Sequence, residues 1–176
     1  MSIPTLLHHR WAVPALAELD RSGGSRFVPL VHALGASREG LRRTLDSLID
    51  ARLVMRNPGY GHPLRPEYVL TRRGRKVAPH CARLVDALRQ SGLEDVGLRK
   101  WSVAVLLALG RERRFAELRT ILGATPRALT LALKELVRVG LVERRVHDGF
   151  PPSTSYRVTR GGQGLRRCGA ALAAVL

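Results

Sequence analysis

The stretch Arg114–Gly162, RFAELRTILGATPRALTLALKELVRVGLVERRVHDGFPPSTSYRVTRGG, decides how the chain folds. It predicts a short helix, a turn, a longer helix, a strand, a Gly/Pro loop, a second strand and the start of another helix. In the longer helix Leu129, Leu133, Leu136 and Val137 recur at i, i+4, i+7 and i+8, one apolar stripe on a 3.6-residue period. Thr125 is placed to cap that helix, and Pro126 takes its first position, where a missing N–H is harmless. Leu141–Val146 and Thr154–Thr159 have strand composition, and the turn-forming HDGFPPS lies between them.

The stretch occurs twice. At an offset of 88 residues Arg26–Gly74 aligns with it without a gap. Arg26, Phe27, Leu30, Leu34, Gly35 and Ala36 repeat as Arg114, Phe115, Leu118, Leu122, Gly123 and Ala124. The helical stripe Leu41, Leu45 and Leu48 repeats as Leu129, Leu133 and Leu136. The loop residues Gly61 and Pro63 repeat as Gly149 and Pro151, and Tyr68, Thr71, Arg72 and Gly74 as Tyr156, Thr159, Arg160 and Gly162. With a two-residue insertion near Ser22–Ser25, Trp11 falls on Trp101. Repetition at a fixed period signals duplicated structural units. The expectation is a mainly α chain with small β-hairpin wings (α+β), a tandem duplicated winged helix-turn-helix. Domains are expected over residues 1–90 and 100–176, joined by a linker at 91–99. In such a unit the second helix enters the DNA major groove.

Charge points the same way. Lys and Arg number 30 against 14 Asp and Glu, a formal net charge of +16, which favours an anionic partner. Arg adds bidentate recognition of phosphate and guanine. Double-stranded DNA is therefore the expected partner. The candidate contacts are Ser37, Arg38, Arg42 and Arg43 on the first long helix and Thr125, Arg127, Thr130 and Lys134 on the second. Arg56, Arg65, Arg144 and Arg145 on the wings join them, with Arg72 and Arg73 where the next helix begins. The run Arg72, Arg73, Arg75, Lys76 places positive charge at a helix N-terminus, against the macrodipole, so a phosphate contact is expected there.

Met1–Arg10 reads as a short lead. No apolar run is long enough to span a bilayer, no secretion signal is recognisable, and the two cysteines lack metal-ligand spacing. A bacterial cytoplasmic, nucleoid-associated protein without metal or cofactor is expected. Trp101–Leu109 is apolar nearly all round and calls for cover on more than one side.

KWSVAVLLAL, the stretch RRFAELRTILGATPRALTLALKELVRVGLVERR and the YRVT segment with its following glycine together resemble the HxlR family of bacterial winged-helix transcription regulators, related more distantly to the MarR group. The match covers nearly all of Lys100–Leu176, and Arg10–Gln90 resembles a diverged second unit. The resemblance implies regulators with one unit per chain, paired as homodimers through first and last helices. Here it implies an internal pseudo-dimer, with a further two-chain assembly open. Leu131 and Ala132 stand where the family tends to have Gln and Arg, so weaker base reading by the second copy is expected. Some relatives sense electrophiles through a cysteine near the N-terminus; Cys81 and Cys168 lie elsewhere and are expected to be inert.

Trp11 and Trp101 occupy equivalent first helices. Brought near a pseudo-two-fold axis, they are expected to line an apolar slot for a small aromatic effector, with Arg10 and Lys100 orienting its anionic groups. A second class stays open, a small-molecule-binding protein that uses the tandem scaffold to enclose an antibiotic or metabolite. An enzyme is not expected. Tandem winged helices occur in some DNA glycosylases with a Gln-x-Gln element, but Gln90 and Gln163 stand alone, and no Ser/His/Asp set is visible.

Overall fold

A computed structural model of the chain describes residues 1–57, 66–148 and 153–176. The wing tips, with Arg65, Gly61, Pro63, Gly149 and Pro151, lie outside the described residues.

The first unit opens with α1 (Ile3–Leu6) and α2 (Ala12–Ser22), which ends at Gly23 in the left-handed conformation. A two-residue strand, β1 (Ser25–Arg26), leads into α3 (Phe27–Leu34) and α4 (Arg38–Asp50). The Ser37 hydroxyl caps α4 by accepting from Gly40 N at 3.1 Å. The hairpin β2 (Val54–Asn57) and β3 (Glu67–Leu70) follows, then α5 (Arg72–Gln90), capped by Thr71. α5 passes through Pro79, which withholds one helical N–H.

The rest of the chain repeats this order: α6 (Glu94–Gly97), α7 (Ser102–Ala108), β4 (Arg113–Arg114), α8 (Phe115–Leu122), α9 (Pro126–Arg138), β5 (Val142–His147), β6 (Ser153–Val158) and α10 (Gly162–Ala173). Thr125 Oγ1 caps α9, accepting from Ala128 N at 3.3 Å. Phe27 and Phe115 each open their helix, and so do Arg38 and Pro126, so the 88-residue offset holds element by element. The two sheets share one topology, β1-β3-β2 and β4-β6-β5, all antiparallel. Arg56 pairs with Tyr68 as Arg144 pairs with Tyr156.

Two glycines set how closely each last helix meets its hairpin. A Cβ on Gly74 would lie 2.0 Å from Leu53 O, and one on Gly162 would lie 2.4 Å from Leu141 O. Only a residue without a side chain fits at either place.

The structure corrects the reading of Met1–Arg10 as a lead. Ile3, Leu6 and Leu7 are buried, and α1 packs on α7 of the other unit. Four helical residues are too few to display a period. α7 also packs on α8, α9 and α10, so its all-round apolar surface is covered on several sides. β1 and β4 have no counterpart in the sequence reading, because two residues cannot show alternation.

The units meet where α5 lies against α10, and their apolar side chains form one continuous cluster that includes Leu84, Leu88, Val103, Leu165 and Leu172. A Cβ on Gly169 would lie 2.5 Å from Val103 Cγ1, so α10 sits close on α7. At the same junction Arg73 Nη2 donates to Leu176 O at 2.7 Å, and Arg10 forms an ion pair with Asp95.

Candidate nucleic-acid interface

Burial of the leucine stripe fixes which face of each long helix is free. On α4 Leu41, Leu45 and Leu48 are buried, so Arg38, Glu39, Arg42, Arg43, Asp46 and Asp50 are exposed. On α9 Leu129, Leu133 and Leu136 are buried, so Arg127, Thr130, Leu131, Lys134 and Arg138 are exposed. Ser37 and Thr125 stand at the exposed N-terminus of each helix, with their hydroxyls engaged as caps.

The expected cations are not equally free. The Arg42 guanidinium lies over the Phe27 ring at 5.8 Å, and Arg43 Nε donates to Glu39 Oε1 at 2.8 Å. Both contacts are at the surface and cost little to exchange for a phosphate or base edge. Arg56 and Arg72 are exposed on β2 and at the start of α5. Arg144 is exposed on β5, and its Nη2 reaches Thr154 Oγ1 at 3.5 Å.

Two expected contacts are otherwise occupied. Arg73 donates to Leu176 O and, at 3.4 Å, to Ala51 O, and it thereby ties the two units together. Its neighbour Arg75 donates to Leu70 O at 2.9 Å. Part of the basic run at the start of α5 is thus explained by carbonyl partners. Arg145 is half-buried, with Nε on Glu143 Oε1 at 3.0 Å and Nη1 3.5 Å from Glu112 Oε2. Alternation along β5 turns Arg144 outward and Arg145 toward the acidic residues.

Thr130 is shorter than Arg42, its equivalent. Beside it opens a cavity of about 390 Å³ lined by Phe115, Leu133, Lys134, Val137, Arg144 and Tyr156. Phe115 is the equivalent of Phe27, which Arg42 covers in the first unit. The free face of α9 therefore borders a crevice between that helix and the hairpin.

The second hairpin holds a knot that the sequence did not disclose. Ser155, 4% exposed, donates its hydroxyl proton to Glu112, and His147 Nε2 lies 2.6 Å from Ser155 Oγ and 3.3 Å from Glu112 Oε1. Serine, histidine and carboxylate are assembled here, contrary to the reading that no such set exists. The arrangement is not that of a nucleophile. A triad carboxylate holds the imidazole by the nitrogen remote from serine. Here the carboxylate accepts the serine hydrogen bond itself and approaches the same Nε2 that faces Oγ. The Ser155 hydrogen bond, aided by the charges of Arg145 and His147, holds the Glu112 carboxyl below its ordinary value of 4.5, against the opposing effect of burial. Glu143 is lowered likewise, by Arg157 and then Arg145.

The tryptophans do not share a slot. Trp101 and Lys100 line a cavity of about 430 Å³ with His8, His9, Ser47 and Leu122. Trp11 and Arg10 line a separate one of about 300 Å³ with Leu34, Arg89 and Asp95. Arg10 and Lys100 do share a third space, yet each also sits over its own indole, at 5.1 and 5.3 Å. His9 is depressed by burial, then by His8 and Arg43. Among the described residues no group of three metal-ligating side chains is found, and no helix is long and apolar enough to cross a membrane.

A family model for HxlR-like helix-turn-helix proteins matches the chain twice, over residues 6–94 and 96–175. The chain belongs to the HxlR-like helix-turn-helix family. Its two matches within one chain agree with the repeated order of elements. Among similar proteins, one named as a regulatory protein, MalR, of Fusobacterium mortiferum is 38% identical over 69 residues, 38% of this chain and 65% of its own length. An uncharacterized HTH-type transcriptional regulator of Synechocystis sp. is 33% identical over 69 residues, 38% of this chain and 51% of its own length. The chain thus spans less than two thirds of either relative. A MarR-family transcriptional regulator of Porphyromonas gingivalis, solved as a crystal structure, is 24% identical with a TM-score of 0.45, covering 49% of this chain and 85% of its own.

Proposed function

We propose that this member of the HxlR-like family is a transcription regulator that binds double-stranded DNA as an internal pseudo-dimer. Units over residues 1–90 and 100–176, joined by 91–99, take the places of two subunits. The observation that carries this reading is the duplicated, side-chain-capped long helix. α4 and α9 are each anchored by a buried leucine stripe and each present an exposed face within a chain of net charge +16. Arg38, Arg42, Arg127, Thr130 and Lys134 face the grooves and their rims; Arg56, Arg72 and Arg144 meet flanking phosphates. Fusion of the units makes their association intramolecular, at high effective concentration. The site of action is the bacterial cytoplasm, at the nucleoid.

Salt dependence tests the reading. With about six phosphates neutralised, log K falls against log salt with a slope near −5. Titration of duplex DNA across several salt concentrations is expected to give that slope. Flat dependence, or no binding at low salt, contradicts it.

A small aromatic effector fits the Trp101 cavity better than a slot between the two indoles. That cavity lies between α1, α4 and α8, with Ser47 from one unit and Leu122 from the other, so an occupant bears on the relation between reading heads. Saturable quenching of tryptophan fluorescence by an aromatic acid, lost in Trp101→Ala and kept in Trp11→Ala, is the expected outcome. The reverse pattern moves the site to the Trp11 cavity and removes this reading.

A further inference from the structure

We infer that the two long helices are specialised for different bases, so that the DNA site lacks two-fold symmetry, and that Leu131 reads a thymine methyl group in the half-site of the second unit. The inference rests on the reading that the chain binds duplex DNA.

Six exposed positions of α4 have exposed counterparts on α9 at the 88-residue offset: Arg38 and Pro126, Glu39 and Arg127, Arg42 and Thr130, Arg43 and Leu131, Asp46 and Lys134, Asp50 and Arg138. None of the six pairs keeps its chemistry. On α4 two arginines stand at the centre, with Arg38 one turn before Arg42 and the acids Glu39, Asp46 and Asp50 beside them. On α9 cations stand at the margins, and the centre is a hydroxyl beside a leucine.

The two patterns suit different groove edges. Central arginines present bidentate donors to guanine O6 and N7, and a carboxylate such as Asp46 accepts from the cytosine amino group. The acids beside them repel phosphate, so α4 gains from close base contact rather than from the backbone. On α9 Arg127 and Lys134 lie at i−4 and i+3 from Leu131, the two exposed members of its neighbours on the helix surface, with Ala128 and Glu135 half-buried. Cations so placed hold the phosphates on either side of the groove and leave the helix centre against the bases. An aliphatic side chain there has no hydrogen bond to offer; its favourable partner in the major groove is the thymine C5-methyl.

Leu131 is 55% exposed, and of the large apolar side chains that remain exposed it alone lies on α4 or α9; Val28, Met55, Ile121 and Val146 belong to α3, β2, α8 and β5. Thr130 beside it adds a hydroxyl and a methyl. A symmetric operator would place one base in two unlike environments. It would set the Arg43 guanidinium and the Leu131 isobutyl group against identical edges and leave one unmatched.

Selection from a random duplex library with the full chain tests this. The expected consensus is non-palindromic, with a G·C-containing half and a half that carries thymine. Replacing thymine by uracil, one position at a time, is expected to weaken binding about fourfold at one position of that half, the worth of a single methyl withdrawn from water. In Leu131→Ala, a surface change that leaves the core intact, thymine and uracil bind equally at that position. Leu131→Arg, which installs the side chain of the equivalent position in α4, is expected to shift the preference there to guanine. A palindromic consensus, or indifference to uracil throughout, overturns the inference while salt-sensitive binding leaves the regulator reading standing. Absence of DNA binding at low salt overturns both.

Discussion

Arg52 shows how far two equivalent residues have drifted. It has φ 56°, in the left-handed region, two residues after α4 ends; its counterpart after α9 is Gly140, at φ 73°. A side chain there costs about 1 kcal/mol that glycine avoids. Arg52→Gly is therefore expected to stabilise the protein by about 1 kcal/mol, read as a higher denaturant midpoint at unchanged slope. Gly74 and Gly162 were legible as repeat markers, but their reason, the approach of a helix to the Leu53 and Leu141 carbonyls, emerges only in three dimensions. The cysteines differ in setting. Cys81 is buried, and loss of solvent, with Asp20 nearby, pushes its thiol upward, away from the reactive thiolate; Cys168 is half-buried on α10. Arg73 and Arg145 were assigned to DNA because charge is visible in a sequence and carbonyl or carboxylate partners distant along the chain are not.

Elements with a period were readable and those without one were not. α4 and α9 carry three buried leucines at helical spacing and a hydroxyl cap, and the start of α9 at Pro126 was legible from its Thr125 cap. α1, β1 and β4 are too short for periodicity and were missed. The wing tips lie outside the described residues. At the second hairpin, strand pairing brings Glu143 opposite Arg157, while the Glu112 carboxylate joins from beyond β4. This joins separated segments through charge. Glu112 has a folded value below its unfolded one, so its contribution to stability is complete above the ordinary value of 4.5 and is lost as pH falls through the lower, folded value. Glu112→Gln, which cannot ionise, is expected to flatten the acid limb of the stability curve below that value. An unaltered acid limb would show that the knot does not support the hairpin.

At the scale of the whole molecule, the duplication was legible because glycine, proline and aromatic residues repeat at one offset, and the family match divides the chain in the same way. The route by which the units pack was less legible. α5 meets α10, α1 crosses to α7, and Arg73 bridges to Leu176, contacts that follow from the shapes of two finished units. The same packing separates the two indoles into different cavities, which equivalence of position in the sequence could not foretell. A shared apolar cluster across the units implies that neither is covered alone, so the chain is expected to unfold as one body. The central claim is that a single chain supplies both reading heads. The direct measurement is the mass of the protein, free and on a selected duplex, by sedimentation equilibrium. The account predicts 19.4 kDa for the free protein and one chain per duplex. A free mass of twice that value together with two chains on each duplex would contradict it.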